Sequence, residues 1–280
     1  MLRTRIVTAA VLIPLTLAGL FGLGARGWGA ATLAVMAVAA SEWARLAGYR
    51  RPAWLVFVAG TVAIGSVLLL WPGSRFAAAG GWPETIPLLV CGAATLFWVL
   101  VAPAWLAAGW RVESKLVLAL TGWLVLIAAW VALVQIQARS PGLLLALMAV
   151  VWIADTAAYF AGRAFGRRRL APAISPGKTW EGVYGALAAT AVYALALLGF
   201  APAGEKRATS LAAVALWVVL LLALTAVSIV GDLFESLLKR QRGVKDSGRI
   251  LPGHGGVLDR IDALLAAMPA AALIVQYVLR

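Results

Sequence analysis

The chain has 280 residues, of which 63% are hydrophobic and only 12% charged, with a mean hydropathy of +0.95. Soluble domains are about half apolar and about a quarter charged, and helices this apolar have no polar face to cover a water-soluble core, so the composition excludes a soluble helical protein in favour of an integral membrane one. The formal net charge of +13 would suggest nucleic acid for a soluble chain, but here the bases lie between apolar runs, where they orient a membrane protein and attract anionic head groups; no nucleic-acid partner is expected.

A bilayer core of about 30 Å calls for spanning helices of about twenty apolar residues. The N-terminus, MLRTRIVTAAVLIPLTLAGL, joins a basic start to a run long enough to cross, and further runs follow at once. Residues 6–23 therefore read as a retained first helix rather than a cleaved secretion signal. Runs broken by Gly, Pro and charge predict further spans at 30–46, 54–71, 86–101, 116–136, 143–162, 182–200, 211–231 and 257–279. The expected fold class is all-α, a polytopic integral membrane protein of about nine transmembrane helices. One integral domain covers 1–280, with N-terminal spans over about 1–140 and motif-bearing spans over about 143–280. Cys91, the one cysteine, falls inside an apolar run, so neither an intrachain disulfide nor a cysteine metal cluster is available. Trp71, Trp82, Trp105 and Trp110 fall near run ends, where an aromatic belt would place them.

With the N-terminus in the cytoplasm, eighteen of the 24 Lys and Arg residues fall on the cytoplasmic side. They are Arg3 and Arg5; Arg45, Arg50 and Arg51; Arg111 and Lys115; Arg163, Arg167, Arg168, Arg169 and Lys178; and Lys239, Arg240, Arg242, Lys245, Arg249 and Arg260. Arg26, Arg75, Arg139, Lys206, Arg207 and Arg280 remain on the other side. This bias predicts a multi-pass protein of the cell's inner (plasma) membrane whose two richest loops, and hence its site, face the cytoplasm.

Carboxylates gather where the membrane makes them expensive: an Asp at the centre of a spanning helix costs about 2.5–3.5 kcal/mol. Asp155 is embedded in the sixth run, Asp232 closes the eighth, and Asp259 and Asp262 open the ninth. The plainer role for each is an interfacial ion pair with a nearby base. Asp232, Glu235, Ser236 and Lys239, at i, i+3, i+4 and i+7, share one helix face, with Leu233, Phe234, Leu237 and Leu238 on the other. The polar face reads as a wall of a cavity at the cytoplasmic interface, against the alternative of a surface helix with a Glu235–Lys239 pair. A second patch is ISPGKTWEG, 174–182. A P-loop would need Gly where Pro172 stands, so that fit fails. What survives is Ser175, Lys178 and Thr179 at an expected helix start, groups that suit a phosphate, or an ordinary Ser-Pro turn with a snorkelling Lys. The glycines of PGHGG, Gly253, Gly255 and Gly256, either end a helix or let the backbone approach a nucleotide.

The segment SLLKRQRGVKDSGRILPGHGGVLDRID, 236–262, resembles the signature of the phosphatidate cytidylyltransferase (CDP-diacylglycerol synthase) family throughout. DTAAYFAGRAFGR, SPGKTWEG and the N-terminal RIVTAAVLIPL are similar to that family too, and no motif position departs from it. The resemblance implies transfer of CMP from CTP to phosphatidic acid with Mg²⁺, a second cation being left open, and it implies a homodimer in a lipid membrane. Joining two polyanions is mostly positioning and electrostatic stabilisation, and Mg²⁺ takes one or two carboxylates with phosphates and water. Asp232 and Asp259, at consecutive span ends, are then the expected metal ligands. Lys178, Lys239, Arg240, Lys245 and Arg260 would neutralise phosphates, Asp246 joins the catalytic set, and Ser175, Thr179, Ser236 and the Gly253–Gly256 loop would bind substrate. His254 is expected to touch phosphate or nucleotide; general base and loop structure are its other roles, and an already ionised phosphate needs no base. The roles of Asp155, Glu181, Glu235 and Asp262 stay open.

Two other functions compete. A CTP-dependent polyprenol kinase shares motif character but releases CDP. A transporter of phosphorylated metabolites would need charge open alternately to both faces, whereas the charge here gathers on one.

Overall fold

In the computed structural model of the chain, residues 2–74, 76, 81–199 and 210–278 are described. The predicted bases Arg75, Lys206, Arg207 and Arg280, and the ends of the seventh and ninth runs, lie outside them. The described residues form α1 (Leu2–Gly22), α2 (Ala25–Leu46), α3 (Arg51–Leu69), α4 (Thr85–Leu96), α5 (Ala102–Ala108), α6 (Lys115–Arg139), α7 (Pro141–Phe165), α8 (Trp180–Gly199), α9 (Leu211–Gln241) and α10 (Leu258–Tyr277). A π turn, Phe97–Val101, carries α4 into α5, and a two-stranded hairpin, β1 (Arg169–Ala171) and β2 (Ser175–Thr179), separates α7 from α8.

Every predicted run lies within or largely overlaps a helical stretch, and the fold is an all-α polytopic membrane architecture. Among the described residues, six helices are long and apolar enough to cross a membrane: Arg51–Leu69, Thr85–Ala108, Lys115–Arg139, Pro141–Phe165, Trp180–Gly199 and Leu211–Gln241. The count of nine crossings therefore stays an expectation. α2 carries Arg26, Glu42 and Arg45, and α10 opens on Asp259, Arg260 and Asp262, so neither is a plain lipid-facing span. Helix starts follow local chemistry: the hydroxyls of Ser114, Ser140 and Ser210 accept from Val117, Leu143 and Ala213 amides, capping α6, α7 and α9.

α6 and α10 form the centre. α10 packs on α9, α6, α4 and α7, and its run Ala263–Pro269 is buried. Indole groups reach helix carbonyls across this core, Trp43 to Leu118 and Trp130 to Gly29, both at 2.9 Å. Away from water each polar group needs such a partner. Trp82 and Trp105, expected in an interfacial belt, are instead core residues. Trp82 packs on Phe76 and Trp130, and Trp105 on Phe234. Their large rings lie at helix ends that turn inward rather than toward lipid. Trp71 and Trp110 are exposed.

Contacts sort the connecting segments into two ends. At one end Thr8 donates to the Pro252 carbonyl, Tyr49 to that of Lys115, Arg240 to Ile174, Gln241 to Trp110, and Arg242 to Leu46 and Ala47. At the other, Gln137 donates to Leu20 and Leu23, Arg139 to Val275, and Gln276 to Glu84. These are the same two groups of segments that the Lys and Arg asymmetry separates.

Candidate active site

The site grows from one salt bridge outward. Lys239 on α9 places its ammonium 2.5 Å from Glu235 one turn earlier and 2.7 Å from Asp259 at the start of α10. Asp259 also accepts from the amides of Ser247 (2.9 Å) and Gly256 (2.8 Å). The signature segment is thus folded around one carboxylate, whose oxygens are met by an ammonium and two backbone donors. Such charge-assisted bonds are what make a buried ion tolerable.

Asp232, two turns before Lys239, pairs at 2.5 Å with Lys178 on β2, and Ser236 donates to it at 3.4 Å. The predicted polar face of α9 is real, but its lower half does not line an open cavity: Glu235, Ser236 and Lys239 are buried. The rising α10 covers them, and the half-buried Asp232 keeps access. On the opposite face Phe234 packs edge-on against Phe97, Trp98 and Trp105.

Two further carboxylates join this set, the exposed Asp155 and the more enclosed Asp262. Asp155, accessible on α7, interacts with Asp232, Lys178 and Arg260, and Asp262 interacts with Asp232 and Glu235. The connected network holds five carboxylates, Asp155, Asp232, Glu235, Asp259 and Asp262, against three bases, Lys178, Lys239 and Arg260. Among the described residues no three His, Cys, Asp or Glu side chains converge to hold an ion by themselves. An ion held here would therefore take at most one or two of these carboxylates and complete its shell from substrate phosphates and water.

The second patch corrects an expectation. Ser175, Lys178 and Thr179 lie on β2, an unpredicted strand that runs directly into the expected helix start at Trp180, with Arg169 opposite Thr179 and Ala171 opposite Ser175. The Pro and Gly read as a turn, but Glu181 overrides them by accepting from the amides of Arg167 (3.0 Å) and Arg168 (3.2 Å), which ties the hairpin back. Thr179 is buried, and its hydroxyl accepts from Gly182 at 3.1 Å, capping the start of α8. Lys178 is the residue of this patch that reaches the network.

In the PGHGG turn Leu251 and Gly255 pair as an isolated bridge. Gly256 of this turn and Gly248 before it are packed against the protein itself: a Cβ at Gly256 would collide with Ser247 and Glu42, and one at Gly248 with Glu42. Gly255 has φ 85° beside Asp259, a conformation that favours glycine. His254 is half-buried, and its Nδ1 is buried with no hydrogen-bond partner among the described residues. Its carbonyl accepts from Arg260 at 3.0 Å. Arg240 and Arg260 are exposed. Lys245 and Asp246 are also exposed and line a cavity of about 490 Å³ with Arg45 and Arg249.

Glu42 has no counterpart in the reading from sequence. Fully buried on α2, it accepts from the Leu258 amide at 2.7 Å and the Ser247 hydroxyl at 3.2 Å, with Arg45 at 3.8 Å. The cost argument applied to Asp155 also marks a lone Glu in the run 30–46, and that signal would have found it.

With this geometry in place, residues 3–278 match the cytidylyltransferase family. The chain belongs to that family. This cytidylyltransferase-family chain is 44% identical to the phosphatidate cytidylyltransferase of Pseudomonas aeruginosa, over 97% of its own length and 96% of that protein. It is 36% identical to the protein of the same name from Haemophilus influenzae, over 96% of each chain. Against that of Brucella suis the identity is 38%, over 95% of this chain and 90% of the other.

Proposed function

We propose that the chain is a phosphatidate cytidylyltransferase, a multi-pass protein of the inner (plasma) membrane whose site opens to the cytoplasm. A phosphate oxygen of phosphatidic acid forms a bond to the α-phosphorus of CTP, the bond from that phosphorus to the β-phosphate bridging oxygen breaks, and pyrophosphate leaves. CDP-diacylglycerol is the product. The observation that carries this reading is the mixed-charge network joining β2, α9 and α10, in a chain similar over nearly its whole length to proteins of that name.

In this reading Lys178 and Arg260 meet the phosphates, with Arg240 and Lys245 drawing the polyanions in. The unpartnered Nδ1 of His254 contacts a phosphate or the cytidine. No general base is required, since the attacking phosphate is already ionised. Asp232 and Asp259 would hold Mg²⁺, with Asp155 and Asp262 adding negative charge nearby. When bound, the ion supplies charge neutralisation for the leaving pyrophosphate. Lys178 and Lys239 now occupy these two carboxylates, so an ion would have to displace an ammonium from each, most readily at the more exposed Asp232. Nine crossings and a homodimer complete the proposal.

The test is incubation of purified protein with CTP, Mg²⁺ and phosphatidic acid. Pyrophosphate and CDP-lipid should appear in equal amounts and only when phosphatidic acid is present. CDP together with a newly phosphorylated lipid alcohol would transfer the assignment to a kinase.

A further inference from the structure

A second basic cavity, of about 520 Å³, lies where the α2–α3 turn, the α5–α6 connection and the end of α9 meet. Leu238, Gln241 and Arg242 contribute to it from α9. At i, i+3 and i+4 they share a helix face, separate from that of Asp232, Ser236 and Lys239. None of Lys178, Asp232, Lys239, Asp259 or His254 lines it. It is therefore a different place from the transfer site.

Its charge is strongly one-sided. Arg50, Arg111, Lys115 and Arg242 line it against a single carboxylate, Glu113. Arg242 is already committed, donating to the Leu46 and Ala47 carbonyls at 2.5 and 2.6 Å, where it neutralises the C-terminal end of α2. Arg50, Arg111 and Lys115 form no ion pair among the described residues. Two helices also begin here. Arg50 is the N-cap of α3, with no side-chain cap bond, and Lys115 is the first residue of α6, while α2 and α9 end at the same cavity at Leu46 and Gln241, so helix dipoles of both signs meet here and the basic side chains set the charge.

The walls are braced rather than loose. The Tyr49 hydroxyl ties the α2–α3 turn to the Lys115 carbonyl at 2.7 Å, and Gln241 ties α9 to the Trp110 carbonyl at 2.7 Å. Leu46, Leu118 and Leu238 are buried beneath. An apolar floor, unpaired guanidinium forks and a braced rim are the features of a preformed site for a compact anion.

We propose that this cavity is a second binding site, separate from the transfer site, for a phosphate group carried by an anionic lipid head group or by a free phosphate compound. Arginine forks bind phosphate oxygens bidentately, and the volume admits a diphosphate or a phosphoglycerol head group.

A local reporter tests it. Cys91→Ser, Glu113→Cys protein carries an environment-sensitive fluorophore at position 113 and sits in nanodiscs of phosphatidylcholine. Phosphatidylglycerol is introduced in graded fractions, and pyrophosphate is titrated separately. A saturable spectral shift is expected, weakened at least about tenfold when Arg50, Arg111 and Lys115 are all Gln, the scale of a lost charge-assisted contact. Cytidylyl transfer should persist in that triple variant, which confirms that it folds, and Arg111→Gln alone should give a partial loss. A shift with lipid only identifies a head-group site; a shift with pyrophosphate identifies a site for the free phosphate. No saturable shift with either, or an equal shift in the triple variant, overturns the proposal.

Discussion

Lys178 on β2 and Asp232 on α9 meet at 2.5 Å, with their side chains still 25% and 31% exposed. The pair holds the hairpin against the helix while leaving both groups reachable by a ligand, unlike the deeper Lys239–Asp259 bridge, whose side chains are 11% and 5% exposed. A contact that is both structural and accessible is where substrate charge can be exchanged for protein charge.

The first prediction concerns that pair. Asp232→Asn and Lys178→Gln should each lower pyrophosphate release by about 10²-fold or more, the scale of removing a preorganised charge from a transfer site. If the two act as one unit, the double variant should be little worse than the more damaging single one. Fully additive losses in a double-mutant cycle of turnover would show that they act separately.

Lys239 carries the second prediction. Lys239→Met keeps the length of the stem but leaves the carboxylates of Glu235 and Asp259 unpaired in a buried place. Breaking a buried bridge on one side typically costs about 3–5 kcal/mol, so a large fall in thermal stability is expected in detergent. Adding Glu235→Gln should recover part of it by removing one uncompensated charge. A double variant as unstable as Lys239→Met alone would mean that Asp259 alone sets the requirement for Lys239.

Glu42 gives the third. Its carboxylate holds the Leu258 amide and the Ser247 hydroxyl, and the Ser247 amide in turn donates to Asp259. Glu42→Gln retains an acceptor oxygen and should keep most stability. Glu42→Ala strips two buried donors of their acceptor, at about 1–3 kcal/mol for each group left unsatisfied. It should lower kcat more than it raises KM for CTP in the protein that remains folded, because the loop that fixes Asp259 is loosened. Equal kinetics in Glu42→Ala and the parent chain would remove Glu42 from any positioning role.

The helices were legible because a bilayer demands long apolar runs, and breaks between them mark the ends. The α9 face was legible because i, i+3, i+4 and i+7 are geometry alone. The contact of Lys239 with Asp259, twenty positions away, depends on how the signature loop folds back, and no periodicity encodes that. The hairpin was hidden for a similar reason. Its Pro and Gly read as a turn, while the two amide bonds to Glu181 that hold it come from beyond the strand. The glycines of the signature were legible as special positions, but the cause at Gly248 and Gly256, a buried Glu42 from α2, needed the packing of distant segments.

The last prediction is topological. Ser247, in the loop after α9, is 5% exposed and bonded to Asp259 and Glu42, so a cysteine there would disturb the site it reports on. Arg249, exposed in the same loop, and Pro72, exposed after α3, are better probes. The contacts that gather segments at two ends place these two positions at opposite ends of the bundle, and the basic asymmetry assigns the Arg249 end to the cytoplasm. In Cys91→Ser protein, an impermeant thiol reagent added to cells whose outer face is accessible should label Pro72→Cys and spare Arg249→Cys until the inner membrane is permeabilised. The reverse pattern would invert the orientation and put the transfer site on the wrong side for cytosolic CTP. Labelling of both positions before permeabilisation would contradict the alternation of the helices itself.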